Sequence, residues 1–192
     1  VIPGRGYFSA DSFQRGGFDS LTLGGNVQFT GPVSITARGA LSVGSGGVIT
    51  ADSAVTLTAA YVKLGQPFLP PIQQQNQSER QFPFTFNGQV YPVLPTFGPG
   101  SLTVKALLID VGNLVLKNIG GTSLIADNGG IRGDGTLEVA GSLYLRAGQI
   151  YPATAVNFNI VARDYTVGGK TYPGSITIAG SAWRAPRSSR RS

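Results

Sequence analysis

The residues best suited to chemistry are four acids, Asp110, Asp127, Asp134 and Glu138, with Arg132 and Arg146 among them. Enzymes that cut acidic polysaccharides use carboxylate pairs, or a basic residue beside a bound metal, on an exterior wall. Asp110 and Arg132 stand about one repeat apart, so a coiled fold can set an acid beside a base. The competing assignment is a corner ion pair or a turn, since Asp127-Asn128-Gly129 and Asp134-Gly135 are turn sequences. The chain has no histidine and no cysteine. That removes most zinc sites, Ser–His and Cys–His nucleophile pairs, haem ligation by histidine and any disulfide framework. With no clustered acids either, no catalytic residue, metal or cofactor is assigned, and the chain is read as non-enzymatic.

Two further motifs share one stretch. Gly129-Gly130-Ile131-Arg132-Gly133-Asp134 partly matches the calcium-binding nonapeptide of some solenoids, but it occurs once, and that site is shared between successive turns. Arg132-Gly133-Asp134 is also the tripeptide that many integrin ligands present. Its flanks, Ile131 and Leu137, favour a tightly wound corner over a protruding loop.

The elements that position these residues follow from composition and periodicity. Charged residues make up 12% of the 192-residue chain, against roughly 25% in an average domain. Glycine, Val, Leu, Ile and Thr are abundant, which predicts strands and turns rather than helices. Arg184, Arg187, Arg190 and Arg191 carry most of the formal net charge of +6, so the body is not read as a nucleic-acid surface. No apolar run is long enough for a transmembrane helix. The opening Val1-Ile2-Pro3-Gly4 lacks the pattern of a signal peptide, and the chain reads as a piece of a longer or processed polypeptide.

Short triplets with apolar ends dominate. Leu21-Thr22-Leu23, Val33-Ser34-Ile35, Leu41-Ser42-Val43, Val55-Thr56-Leu57, Val62-Lys63-Leu64, Leu102-Thr103-Val104, Leu114-Val115-Leu116 and Leu137-Glu138-Val139 are examples. Alternation puts both ends of a triplet on one face. The triplets recur at roughly 20–22 residues, with about three per period, as in a solenoid. Leu21/Leu23 returns as Leu41/Val43, and Val33/Ile35 as Val55/Leu57. Leu114/Leu116 returns as Leu137/Val139 and then as Phe158/Ile160. Ile109, Ile131 and Ile150 form a further column. The predicted fold is an all-β right-handed parallel β-helix with apolar triplet ends stacked inward.

The predicted organisation is a lead-in over 1–15, β-helix rungs over 16–65, an insertion over 66–100, rungs again over 101–181, and a basic disordered tail over 182–192. A hairpin with a Gly168-Gly169 turn is predicted at about 163–175. The insertion is rich in proline, which is read as preventing regular strand pairing, with the solenoid resuming at Leu102. Its aromatics, Phe68, Phe82, Phe84, Phe86, Tyr91 and Phe97, are the candidate partner-binding residues. The alternative is that they fold back to cover the side of the solenoid. Cut solenoid ends present open strand edges, so self-association through an end, or a cap there, is also expected.

Several phrases resemble the filamentous haemagglutinin-like exoproteins of two-partner secretion, in a conserved region of their shafts. They are Gly16-Gly17-Phe18-Asp19-Ser20-Leu21, Ile109-Asp110, Gly130-Ile131-Arg132-Gly133-Asp134-Gly135-Thr136-Leu137, Ser175-Ile176-Thr177-Ile178 and above all Ala147-Gly148-Gln149-Ile150-Tyr151-Pro152-Ala153-Thr154. The resemblance covers roughly residues 16–181 outside the insertion. It implies a secreted, repetitive adhesin shaft on a bacterial cell surface, serving cell adhesion by contact with another protein or a host-surface glycan receptor. Two alternatives remain: a polysaccharide-active enzyme on the same fold, and the shaft of a contact-dependent toxin-delivery exoprotein.

Overall fold

The computed structural model describes residues 6–68 and 93–181, and the backbone of two short strands between them. The chain is a parallel β-solenoid that advances about five turns. A short helix α1 (Ala10–Gly16) comes first. Strands β1 (Leu21–Leu23), β2 (Val27–Phe29) and β3 (Val33–Thr36) form the first turn, and β4 (Ala40–Val43), β5 (Val48–Ala51) and β6 (Ala54–Thr58) the second. Next come β7 (Tyr61–Leu64), the antiparallel pair β8 (Pro83–Phe86) and β9 (Gln89–Pro92), and β10 (Thr96–Lys105). Then β11 (Leu108–Val111) leads into the long β12 (Leu114–Gly133), β13 (Gly135–Ala140) and β14 (Ser142–Pro152). The last turn holds β15 (Phe158–Arg163), β16 (Tyr165–Val167), β17 (Lys170–Tyr172) and β18 (Ser175–Gly180).

Strands one turn apart pair in parallel and make three faces. The first stacks β1, β4, β7, β11 and the ends of β12 and β14, with Leu21, Leu41, Val62, Ile109, Ile131 and Ile150 in one inward column. The third stacks β3, β6, β10, β12, β14 and β18, with Ile35, Leu57, Val104, Leu124, Leu145 and Ile178 in register. Leu, Ile and Val fill the interior because each inward side chain lies directly over its counterpart in the next turn. Corners are tied between turns by short polar side chains. The Gly25 amide donates to Ser45 Oγ at 2.9 Å, the Ala40 amide to Ser20 Oγ at 3.1 Å and the Gly31 amide to Asp52 Oδ1 at 2.7 Å.

The second face is interrupted. There β5 pairs directly with β12, Val48 against Val115 and Ile49 against Leu116, so the third turn places no strand between them. The chain of that turn departs after Gln66, and the solenoid resumes at Thr96, earlier than the predicted Leu102. Thr96 and Pro99 pair with Lys117 and Ile119 through a bulge. An irregular ladder tolerates Pro99, which has no amide to offer. The Asn118 side-chain amide closes the seam by donating to the Ala51 carbonyl at 2.9 Å. Proline does not prevent pairing within the insertion either: Pro83 and Pro92 sit opposite each other at the ends of the β8–β9 pair.

Two more details differ from the sequence reading. Leu137 stacks on Ile160, not Phe158, which lies opposite Gly135. Phe158 instead places its ring over Gly133, so that a Cβ there would overlap it. Gly133 continues the inward column of Leu23, Val43, Leu64 and Val111, and the aromatic ring occupies the space its missing side chain leaves. The lead-in also contains a helix. Ser9 caps α1 by accepting from the Ser12 amide, Gly17 ends it at φ 66°, and its Phe13 is buried. A serine N-cap and a glycine in the left-handed region are the usual stops of a short helix. Residues 182–192, predicted to be a disordered tail, lie outside the described residues.

Candidate functional site

Three of the four acids singled out in the sequence, Asp110, Asp127 and Glu138, each face an arginine about one turn along the chain. Asp110 and Arg132 are partners in the β11–β12 ladder. Arg132 donates through Nε to Asp110 Oδ1 at 2.9 Å and through Nη2 to Oδ2 at 2.6 Å. Tyr61, whose ladder neighbour Lys63 pairs with Asp110, donates its hydroxyl to Asp110 Oδ2 at 2.7 Å. Asp110 is only 3% exposed, so these bonds satisfy a carboxylate withdrawn from water. Burial, and then the bond to Asp110, push the Tyr61 hydroxyl up from 10.0 to about 12. The same carboxylate raises Arg132 above its ordinary value. Phe68 covers the cluster, its ring centroid 5.3 Å from the Arg132 guanidinium carbon.

Asp127, Glu138 and also Asp19 follow the same pattern. Asp127 meets Arg146 at 2.7 Å, Glu138 meets Arg163 at 2.6 Å, and Asp19 meets Arg38 at 2.7 Å. Asp134 is fully buried at a corner, where its amide donates to the Val111 carbonyl at 2.9 Å. All three residues of the Arg-Gly-Asp tripeptide therefore have structural tasks: Arg132 pairs, Gly133 makes room for Phe158, and Asp134 is inside. Among the described residues, no three acids, histidines or cysteines converge as a metal site would require. The neighbouring Asn113, also buried, accepts from the Thr136 amide at 2.8 Å and donates to Gln66 Oε1 at 3.5 Å.

Three partly exposed aromatics, Phe97, Tyr165 and Tyr172, form a second cluster. β16 and β17 make an antiparallel hairpin, Tyr165 opposite Tyr172, turning through Gly168 (φ 58°) and Gly169 (φ 78°). Positive φ at both turn residues matches the twist of a two-residue hairpin. The Gly174 amide donates to Asp164 Oδ1 at 3.1 Å and closes the base. The hairpin folds back onto β10. Phe97 and Tyr165 stack at 4.0 Å with an interplanar angle of 7°, and Tyr165 stacks on Tyr172 at 5.6 Å. Lys170 Nζ lies 5.2 Å from the Tyr172 ring centre. Phe97 and Tyr172 remain 37% and 36% exposed, so the stack is a surface of three rings with a cation beside it.

Of the six aromatics named from the sequence, Phe68 is half-buried against Arg132 and Phe97 begins the ring stack. The side chains of Phe82, Phe84, Phe86 and Tyr91 lie outside the described residues. Tyr165, Tyr172 and Lys170 were not among the sequence candidates. Their signal was the alternation on either side of Gly168-Gly169, which sets the two tyrosines opposite each other once the hairpin forms. No family model, curated protein or solved structure matches the chain.

Proposed function

We propose that this chain is a structural and adhesive segment of a secreted bacterial surface exoprotein, and that it contacts a receptor through the Phe97–Tyr165–Tyr172 stack. The observation that carries this reading is the stack itself: three rings and Lys170 on the outer wall of a scaffold whose named acids are engaged. Stacked rings offer large contact area at few rotatable bonds, and sugar C–H faces and apolar side chains pack on such platforms. The phrase Ala147-Gly148-Gln149-Ile150-Tyr151-Pro152-Ala153-Thr154 supports placement in a haemagglutinin-like shaft, and with it export and surface display. The pairing of Asp110, Asp127 and Glu138 with arginines, and the burial of Asp134, favour this reading over a polysaccharide-cleaving one, which needs an acid open to exchange protons with a substrate.

The test is binding of the purified chain to a panel of immobilised host glycans and to cultured epithelial cells, beside a Tyr172→Ala, Lys170→Ala variant. Both positions lie on the hairpin, away from the core, so the circular dichroism spectrum and melting temperature should not move. Binding should fall roughly tenfold or more, the scale of losing an aromatic contact and its neighbouring cation. Equal binding by variant and parent would remove the stack from the reading.

A further inference from the structure

The hairpin brings two tyrosines into ring contact. Tyr165 and Tyr172 are direct partners across the β16–β17 ladder, where the side chains of opposite residues meet on one face. Their ring centroids lie 5.6 Å apart with an interplanar angle of 20°. On the other face the Thr166 and Thr171 hydroxyls are 3.2 Å apart and share a hydrogen bond. Phe97 also stacks on Tyr165, nearly parallel to it, and Tyr172 remains 36% exposed. The pair is therefore held in position and reachable from solvent.

Among the described residues no other two tyrosines are in ring contact. Tyr7 is exposed ahead of α1, and Tyr61 gives its hydroxyl to Asp110. Tyr144 stands on the third face between Ser123 and Thr177, and Tyr151 on the first face beside Arg132. The chain has no cysteine, so the usual oxidative staple is absent.

We propose that Tyr165 and Tyr172 are a site of oxidative cross-linking, joined by a bond between the ring carbons beside their hydroxyls. The oxidant is a peroxide acting through a haem peroxidase, which works in one-electron steps. Each phenol O–H bond gives up a hydrogen atom, and the peroxide takes the two and is reduced to two waters. Each tyrosyl radical shares its unpaired electron with the carbons ortho to its oxygen. A Cε–Cε bond then forms between the rings. Each coupled carbon loses its proton and each phenol oxygen regains one through water, which restores both aromatic rings. The product lacks two hydrogen atoms relative to the parent chain. Coupling needs two radicals to meet before either is quenched, and the hairpin supplies that encounter in advance. The bond closes a loop across the hairpin, as a disulfide would, and does not depend on what the ring stack binds.

Oxidation of the whole chain with hydrogen peroxide and a haem peroxidase tests this, beside Tyr165→Phe and Tyr172→Phe. Both variants keep the rings and should leave the circular dichroism spectrum unchanged. The expected product is a monomer with the blue fluorescence of dityrosine, in a yield that does not change when the chain is diluted. Trypsin cuts after Arg163, Lys170 and Arg184. Digestion after denaturation should therefore release residues 164–170 joined to 171–184, at the summed mass less two hydrogen atoms. Either variant should lower the fluorescence of the monomer about tenfold or more, because it removes one member of the preplaced pair. Absence of dityrosine, dityrosine confined to linked dimers, or fluorescence of the monomer that survives in either variant would each overturn the proposal.

Discussion

Replacing Arg132 with methionine should expose how the side wall is held. The change removes both bonds to Asp110 and leaves a carboxylate that is 3% exposed with, among the described residues, the Tyr61 hydroxyl as its remaining side-chain donor. Breaking a buried pair from one side costs about 3–5 kcal/mol. Arg132 itself is partly solvated and one donor to Asp110 survives, which places the expected loss nearer 2–3 kcal/mol. Methionine keeps an apolar contact with Phe68, so packing contributes little to the difference. Urea denaturation followed by circular dichroism at neutral pH measures this. A further Asp110→Leu change should recover most of the loss. A deficit below about 0.5 kcal/mol would refute the claim that Arg132 neutralises a buried charge.

Other perturbations follow from the same geometry. Gly133→Ala should cost about 1–3 kcal/mol in denaturant titration, because the new methyl overlaps the Phe158 ring, whereas Gly121→Ala, with its nearest neighbour at 3.7 Å, should be close to neutral. Tyr61 has its folded pKa raised to about 12 from 10.0, so its contribution is complete below pH 10 and is lost as pH rises toward 12; a Tyr61→Phe variant should lack this part of the alkaline decline in melting temperature. Joining Phe68 to Val93 through a short Gly-Ser linker should leave the β-rich circular dichroism spectrum intact, since β5 and β12 already pair without a third-turn strand between them; unfolding of that variant would show that residues 69–92 contribute to the core.

The solenoid was legible because its cause is local and periodic. Every inward column needs apolar residues at the same phase of each turn, so Leu21 announced Leu41 and Ile109 announced Ile131. The register failed at Phe158 for a physical reason. Gly133 leaves a hole in the inward column, and a large side chain two residues off phase fills it. Spacing placed Asp110 beside Arg132, but not Glu138 beside Arg163, because that pair reaches diagonally across the β13–β15 ladder. The fold-back of the hairpin was not legible: Gly168-Gly169 fixes the turn, while the side of the solenoid it meets depends on Phe97, far away in sequence. The direct pairing of β5 with β12 was hidden likewise, since it follows from what the third turn omits.

Adhesion through the outer wall is tested most directly by the affinity of the purified chain for host-cell surfaces, measured with and without Tyr172→Ala, Lys170→Ala. The account predicts saturable binding by the parent chain and a loss of roughly tenfold or more in the variant at unchanged melting temperature. Absence of saturable binding by the parent chain, or equal affinity of the two proteins, would contradict it.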